Sequence, residues 1–241
     1  MENGPAPFSE IGKRARDLLY KDYNFHHKFT LFVPISSGLG LTATGFKKDQ
    51  YFVGDINSLY KSGNVTVDVK VYTYSNVYTK VTLNNVFHSK KVALSFNVPD
   101  HKLGKLDVQY LHPHATFDSS IGLNPAPQLK LSAAIGSKDI SMGADVRLNI
   151  ISASFSKCNA GITFNKPNFS TTLMLADKGE ALKASYIHYV DRPDGLIVVA
   201  ELAHGLSSSE NRFTIGTSQS IDPKTVLKTR FSDDGSSPYY V

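Results

Sequence analysis

The stretch Val65-Thr66-Val67-Asp68-Val69-Lys70-Val71 alternates apolar and polar residues without a break. Successive side chains of a β-strand point to opposite faces, so this stretch predicts a strand with one apolar and one charged face. The same alternation returns in the ranges 92–98, 105–110 and 140–148. A sheet built from such strands has one wet face, which is either the outside of the protein or the lining of a water-filled pore.

The composition is compatible with one domain over residues 1–241. The mean hydropathy is −0.18, and no stretch approaches the roughly 18 consecutive apolar residues of a membrane helix. Strands of a transmembrane barrel need only about 9–11 residues, so hydropathy leaves that class open. The segment Met1–Phe8 lacks the basic and apolar regions of a secretory signal. The single cysteine, Cys158, excludes an internal disulfide framework.

The charge balance favours anionic partners. Lys and Arg number 26 against 21 Asp and Glu, which gives a net charge of +5 and a pI near 9.1. Such an excess attracts phosphates, nucleotides or acidic lipids. The lysines are scattered singly along the predicted strands instead of clustering, so the sequence predicts no nucleic-acid binding.

An amphipathic helix is predicted at the N-terminus, over residues 7–23. Pro7 suits a first helical turn because its missing N–H is not needed there. Apolar residues recur at helical spacing from Phe8 to Leu19, opposite basic and acidic residues. The pattern leaves open whether this helix packs on a core, lies on a membrane or lies within a pore.

About sixteen strands are predicted over residues 25–235, at the roughly 10-residue spacing of a transmembrane barrel. Turn residues separate them, for example at 61–64, 136–139 and 191–195. Glycines inside the predicted strands, among them Gly143, Gly161 and Gly216, are expected to relieve crowding at bends of a barrel.

The sequence contains no pattern typical of an enzyme. It has no phosphate-binding loop, dinucleotide fingerprint, nucleophile elbow or HExxH motif. His112 and His114 have no Cys or carboxylate partner at the spacing of a zinc site. Asp145 and Arg147 share one face of a predicted strand, where they are able to form an ion pair. We therefore expect no catalytic residue, no metal and no cofactor.

Five parts of the chain carry a family resemblance: residues 8–23 (FSEIGKRARDLLYKDY), 104–112, 159–164, 177–186, and 213–217 with 221–223. Together they resemble the mitochondrial porins, the voltage-dependent anion channels, and residues 8–23 are similar to the N-terminal helix of that family. The resemblance extends from Phe8 to Gly235, which is nearly the whole chain.

The resemblance implies an all-β transmembrane β-barrel, an antiparallel meander with one N-terminal amphipathic α-helix, in the mitochondrial outer membrane. It implies a single porin domain over 1–241 that is not an enzyme. The expected function is a voltage-gated, anion-selective diffusion pore for small metabolites such as nucleotides and phosphate. Expected partners are membrane lipid, anionic metabolites including chloride, other porin copies and docking proteins.

The resemblance also implies that the helix lies inside the pore and helps to set its selectivity. Its cations are Lys13, Arg14, Arg16 and Lys21. Alternation along the strands predicts that the following cations face the lumen: Lys70, Lys80, Lys105, Lys130, Arg147, Lys183 and Lys228. A positive lining concentrates anions by Coulomb attraction, screened over about 8 Å at physiological salt.

The chain departs from the family in its number of strands. About 19 strands are expected in the family, against about sixteen here, and residues 236–241 form a divergent tail. We therefore expect a C-terminally shortened form. An alternative function is a truncated, non-conducting porin that acts as an interaction partner or modulator of full-length channels. A soluble barrel that carries an apolar ligand is disfavoured by the charged faces of 65–71 and 140–148.

Overall fold

The computed structural model describes residues 4–21, 23, 28–36, 38–48, 51–86, 90–99, 104–190, 195–222, 225–233 and 239–240. A 3-10 turn, Phe8–Glu10, precedes helix α1, Lys13–Tyr20. A second 3-10 turn, Asp177–Gly179, lies between β12 and β13. The strands in the described part of the chain are β1 Lys28–Ser36, β2 Leu39–Lys48, β3 Tyr51–Ser62, β4 Val65–Tyr72, β5 Val77–Val86, β6 Lys90–Val98, β7 Lys105–His112, β8 Ala115–Gly122, β9 Gln128–Gly136, β10 Ile140–Asn149, β11 Ser154–Asn165, β12 Phe169–Ala176, β13 Ala181–Tyr189, β14 Ile197–Gly205, β15 Asn211–Asp222, β16 Thr225–Ser232 and β17 Tyr239–Tyr240.

Each strand pairs antiparallel with the next one along the chain, from β1 through β17. Short turns make this meander possible. At the two-residue tip between β3 and β4, for example, Gly63 has φ +54°, which glycine adopts without a Cβ clash. The predicted antiparallel barrel of about sixteen strands with one N-terminal helix is confirmed, and β17 adds a two-residue pairing to β16.

The two faces of the sheet differ in chemistry, as the alternation predicts. Large apolar side chains such as Leu131, Met142 and Leu173 are exposed on the outer face. Polar side chains such as Ser132 and Asp145 alternate with them and are buried on the inner face. An apolar outside and a polar inside are the arrangement of a barrel in lipid.

The N-terminal segment lies against the inner face of the barrel. Gly12, with φ +67°, separates the 3-10 turn from α1, so the helical part of residues 7–23 consists of two short pieces. Phe8, Ile11, Ala15 and Leu19 are buried against the wall. In the described residues no helix has the length and apolarity to cross a membrane.

The first strand is an edge in the described part of the sheet. There, β1 pairs with β2, whereas β16 pairs with β15 and β17. Phe29 on one face and Phe32 on the other are both more than 60% exposed, at 68% and 64%. Of the predicted divergent tail, only 239–240 is described, and residues 25–27 of the predicted strand range also lie outside the described residues.

Candidate functional site in the lumen

The C-terminal half of α1 is seated on β13–β15. Leu19 is fully buried and packs with Ala15 against Ile187 and Val199. The seat depends on Gly216 of β15, since a Cβ there would lie 2.9 Å from Leu19 Cδ2. The same Cβ would lie 2.8 Å from the carbonyl oxygen of Thr229, so a side chain on residue 216 would disturb both the β15–β16 pair and the packing of Leu19.

The N-terminal 3-10 turn and the adjoining Ile11 pack against β9–β12 in the same way. A Cβ on Gly161 would lie 3.1 Å from Ile11 Cγ2, and one on Gly143 would lie 3.0 Å from Phe8 Cδ2. These glycines are expected from the sequence to relieve barrel bends. The structure shows that they also make room for the N-terminal segment, because the apolar side chain of each helical piece approaches the backbone of the wall.

Polar contacts fix the end of α1 to β14 and β16. The Tyr20 hydroxyl donates to Glu201 Oε1 at 2.8 Å, and burial together with this bond raises the pKa of Tyr20. Arg230 Nη1 donates to the carbonyl of Leu19 at 3.4 Å, which satisfies one of the last carbonyls of the helix. The Arg230 guanidinium also lies 5.6 Å from the ring centroid of Tyr20 and 5.2 Å from that of Tyr23.

The predicted helix cations have different surroundings. Lys13 Nζ lies 2.6 Å from Glu10 Oε1, so its charge is compensated by a neighbouring carboxylate. The Arg14 guanidinium stacks 4.6 Å from the ring centroid of Tyr189 on β13. Lys21 is exposed immediately after the last turn.

The strand register places the predicted strand cations on the same face of the sheet as the helix. They are Lys70, Lys80, Lys105, Lys130, Arg147, Lys183 and Lys228. Two of them have carboxylate partners on that face: Lys70 Nζ lies 3.2 Å from Asp55 Oδ2, and Lys105 Nζ lies 2.7 Å from Asp107 Oδ1. Their charges are therefore locally compensated.

A row of cations crosses β9, β10 and β11 on the inner face. Arg147 lies directly opposite Lys130 on one side and Lys157 on the other. With Arg16 and Lys183 these residues line a recess of about 260 Å³ between the N-terminal segment and the wall. Lys157 is missing from the cations predicted to line the lumen. Lys157 shares a strand face with Asn159 and Gly161, which indicates the inner face of the barrel. Only the strand register shows that it lies opposite Arg147.

Asp145 and Arg147 share the inner face of β10 but form no ion pair within 4.0 Å among the described residues. Asp145 Oδ1 instead accepts from Asn159 Nδ2 at 2.6 Å, directly across the β10–β11 pair. Asn159 Oδ1 in turn accepts the backbone N–H of Asp177 at 3.1 Å. Because the amide satisfies the buried carboxylate, Arg147 remains without an acidic partner among the described residues.

Comparison with known proteins identifies the family. The sequence profile of the eukaryotic porins matches residues 4–237. The chain is 54% identical over 235 residues to mitochondrial outer membrane protein porin 6 of Oryza sativa subsp. japonica, which covers 98% of this chain and 85% of that protein. It is 53% identical to mitochondrial outer membrane protein porin 4 of Arabidopsis thaliana, with the same coverage. It is 39% identical to an outer plastidial membrane protein porin of Pisum sativum, over 98% of this chain and 85% of that protein.

These matches agree with the barrel, its apolar outside and its polar lumen. They confirm the predicted family, the predicted mitochondrial outer membrane and the prediction that the protein is a pore and not an enzyme. The chain belongs to the eukaryotic porin family and is a pore protein of the mitochondrial outer membrane.

Proposed function

We propose that the protein is a voltage-gated, anion-selective diffusion pore that passes chloride and small anionic metabolites such as nucleotides and phosphate. The observation that supports this most is the excess of positive charge on the lumen side of β9–β11 and β13, where five cations and the two carboxylates of Asp145 and Asp177 line one recess. Lys130, Arg147, Lys157 and Lys183 face the lumen there, and none has a carboxylate within 4.0 Å among the described residues.

Selectivity in such a pore follows from the summed field of the lining. Cations on the wall raise the local concentration of anions and lower that of cations, over a screening length of about 8 Å at physiological salt. The helix narrows the lumen and adds Arg14 and Arg16 to its lining. Compensated residues such as Lys70 contribute less to the field, because their partner carboxylates cancel much of their charge at a distance.

The helix also suits a voltage-sensing role. It carries charged side chains, and noncovalent contacts hold it to the wall at Leu19 and Tyr20. Moving one elementary charge through a potential of 100 mV is worth about 2.3 kcal/mol. This energy is comparable with the loss of one buried apolar contact, so a membrane potential acting on several helix charges changes the free energy of the docked position.

Reversal of the helix charges is expected to reduce anion preference. In the variant with Lys13→Glu, Arg14→Glu and Arg16→Glu, we expect the reversal potential in a KCl gradient to move toward the cation side, since three positive charges in the lumen become negative. The matched variant with glutamine at the same positions should give an intermediate shift. If the glutamate variant keeps the reversal potential of the unmodified protein, the helix does not contribute to selectivity.

The second candidate function is a non-conducting interaction partner or modulator of other porin chains. The observation that favours it is the edge formed by β1, which among the described residues pairs through its backbone with β2 alone. An edge strand is able to add to the sheet of another chain. Single-channel recording separates the two candidates, because only the pore conducts by itself.

A further inference from the structure

We propose that the outer face of β9–β13 binds one anionic phospholipid, with its phosphate beside Lys166 and an acyl chain in a groove floored by Ala133, Ala144 and Ala160. These three residues are called the alanine row. The site lies on the face of the wall opposite the lumen, so the proposal does not depend on the proposed ion selectivity.

The alanine row forms a groove in the lipid-facing surface. Ala144 lies directly opposite Ala133 on β9 and Ala160 on β11, so three small side chains follow one another across three strands. In the next outward-facing row, Met142 lies between Ile135 and Ile162, whose side chains are larger. The difference in side-chain size leaves a shallow groove of about 520 Å³. A flexible hydrocarbon chain is able to fill it, and in a membrane the gain comes from van der Waals packing.

Four rings form a ladder on the outer face between the groove and one end of the barrel. Phe164 of β11, Phe169 of β12, and Tyr186 and His188 of β13 have successive ring centroids 5.8, 5.9 and 6.2 Å apart. Aromatic side chains mark the level of the lipid headgroups at the ends of a membrane barrel. The Tyr186 hydroxyl and His188 Nδ1 lie 3.3 Å apart, so the ladder also presents polar atoms there.

The turns beside the ladder carry a net positive charge. Lys166 Nζ lies 5.2 Å from the ring centroid of Phe164, which places the ammonium on the lipid side of the barrel end. Asn165 joins this turn to the β9–β10 turn, since its N–H donates to the carbonyl of Asp139 at 2.7 Å and its Nδ2 donates to that of Lys138 at 3.4 Å. Two lysines and one aspartate therefore share this end of the sheet, an excess of one positive charge.

The ion pair of Lys166 leaves its ammonium available to a phosphate. Lys166 Nζ lies 3.5 Å from Asp139 Oδ2, and the two side chains are 43% and 62% exposed. Exposed pairs of this kind contribute little free energy, and an ammonium has three donors. Lys166 is therefore able to donate to a lipid phosphate. Its attraction, together with that of Lys138, favours a headgroup with a net negative charge.

The distance from Lys166 to the alanine row matches one leaflet of a bilayer. Ala160 precedes Lys166 by six residues, which is about 20 Å along a strand at about 3.4 Å per residue. Strands of a membrane barrel tilt by about 35–45°, so this length corresponds to a depth of about 15 Å. Half of the roughly 30 Å hydrocarbon core has the same depth. A lipid whose phosphate contacts Lys166 thus brings the end of an acyl chain to the alanine row.

Native mass spectrometry of the 241-residue chain tests the headgroup contact. The chain is released from micelles that contain phosphatidylglycerol and phosphatidylcholine in equal amounts and with identical acyl chains. We expect about fivefold or greater preference for phosphatidylglycerol among the retained lipids, and Lys166→Gln should lower this preference about fivefold, the effect of one lysine at an anionic membrane surface. The control Lys90→Gln removes an ammonium that lies 5.8 Å from the ring centroid of Tyr110, outside the groove, and should change the preference by no more than about twofold.

Filling the groove tests the contact with the acyl chain. Ala144→Leu should lower the retention of phosphatidylglycerol at least about threefold, because the larger side chain occupies the space above the alanine row. The control Ala200→Leu adds the same atoms opposite Tyr186, outside the groove, and should change retention by less than about twofold. Both substitutions place an apolar side chain in lipid, so the mobility shift of the folded form on cold electrophoresis should stay unchanged.

Four results would overturn the proposal. Equal retention of the two phospholipids by the unmodified chain would exclude an anionic lipid as the occupant. An equal loss in Lys166→Gln and Lys90→Gln would indicate a general attraction to the lysines at the surface. An equal effect of Ala144→Leu and Ala200→Leu would show that no acyl chain occupies the groove. Displacement of phosphatidylglycerol by cholesterol, with equal cholesterol retention in Lys166→Gln, would assign the groove to a sterol.

Discussion

Replacement of Leu131 by arginine is expected to prevent stable insertion of the barrel into a bilayer. Leu131 lies near the middle of β9 on the outer face and is 49% exposed. An arginine on the lipid face near the midplane of a membrane costs about 2–4 kcal/mol. Folding into lipid vesicles, followed by the mobility shift of the folded form on cold electrophoresis, should show a large loss of folded protein.

The neighbouring substitution Ser132→Arg is the matched control. Ser132 lies on the inner face, directly opposite Asp145 on one side and Asp118 on the other. An arginine there points into the lumen between two carboxylates, so we expect a loss of no more than about 1 kcal/mol. An equal loss of folded protein with both substitutions would contradict the assignment of Leu131 to the lipid face and of Ser132 to the lumen face of β9.

Truncation of Leu19 is expected to release the helix from the wall. Leu19 is fully buried between α1 and β13–β15. Removing a fully buried leucine side chain in Leu19→Ala costs about 2–5 kcal/mol, and here this free energy stabilises the docked position of the helix. Amide exchange of residues 13–20 should therefore become at least about 30-fold faster, since each 1.4 kcal/mol is a factor of ten.

The exposed residue after the helix provides the comparison. Lys21→Ala removes a side chain that is exposed to solvent, so exchange in α1 should stay within about threefold of the unmodified protein. Barrel amides of β13–β15 should keep their protection in both variants, which separates release of the helix from unfolding of the wall. If Leu19→Ala leaves amide exchange in α1 unchanged, the packing of Leu19 against the wall does not hold the helix in place.

Alternation was sufficient to predict the strands and their two faces, because successive side chains of a strand alternate between two environments, whereas the closed barrel was implied by the resemblance to the porins. The stretch Val65–Val71 shows both the apolar and the charged face without any knowledge of its partners. The N-terminal helix was likewise predicted from the helical spacing of its apolar residues, which ends at Leu19. Its interruption was not, since Gly12 is the kind of residue that only the positive φ identifies as a break.

The details of the lumen depend on register, which the sequence pattern does not contain. The position of Lys157 opposite Arg147 follows from how β10 aligns with β11, and so does the bond between Asn159 and Asp145. The role of Gly216 beside Leu19 and beside the carbonyl of Thr229 depends on how the helix docks and on how β15 aligns with β16. The sequence of an alternating strand does not indicate which residue of the neighbouring strand lies opposite a given lysine or glycine.

The central claim, a pore with a positive lining, is tested most directly by single-channel recording of the 241-residue chain in a planar bilayer under a KCl gradient. Circular dichroism of the same preparation establishes that the protein is folded as β-sheet before it is added. Our account predicts discrete conductance steps with a reversal potential on the anion side. A folded preparation that gives no steps, or steps with a reversal potential on the cation side, would contradict it.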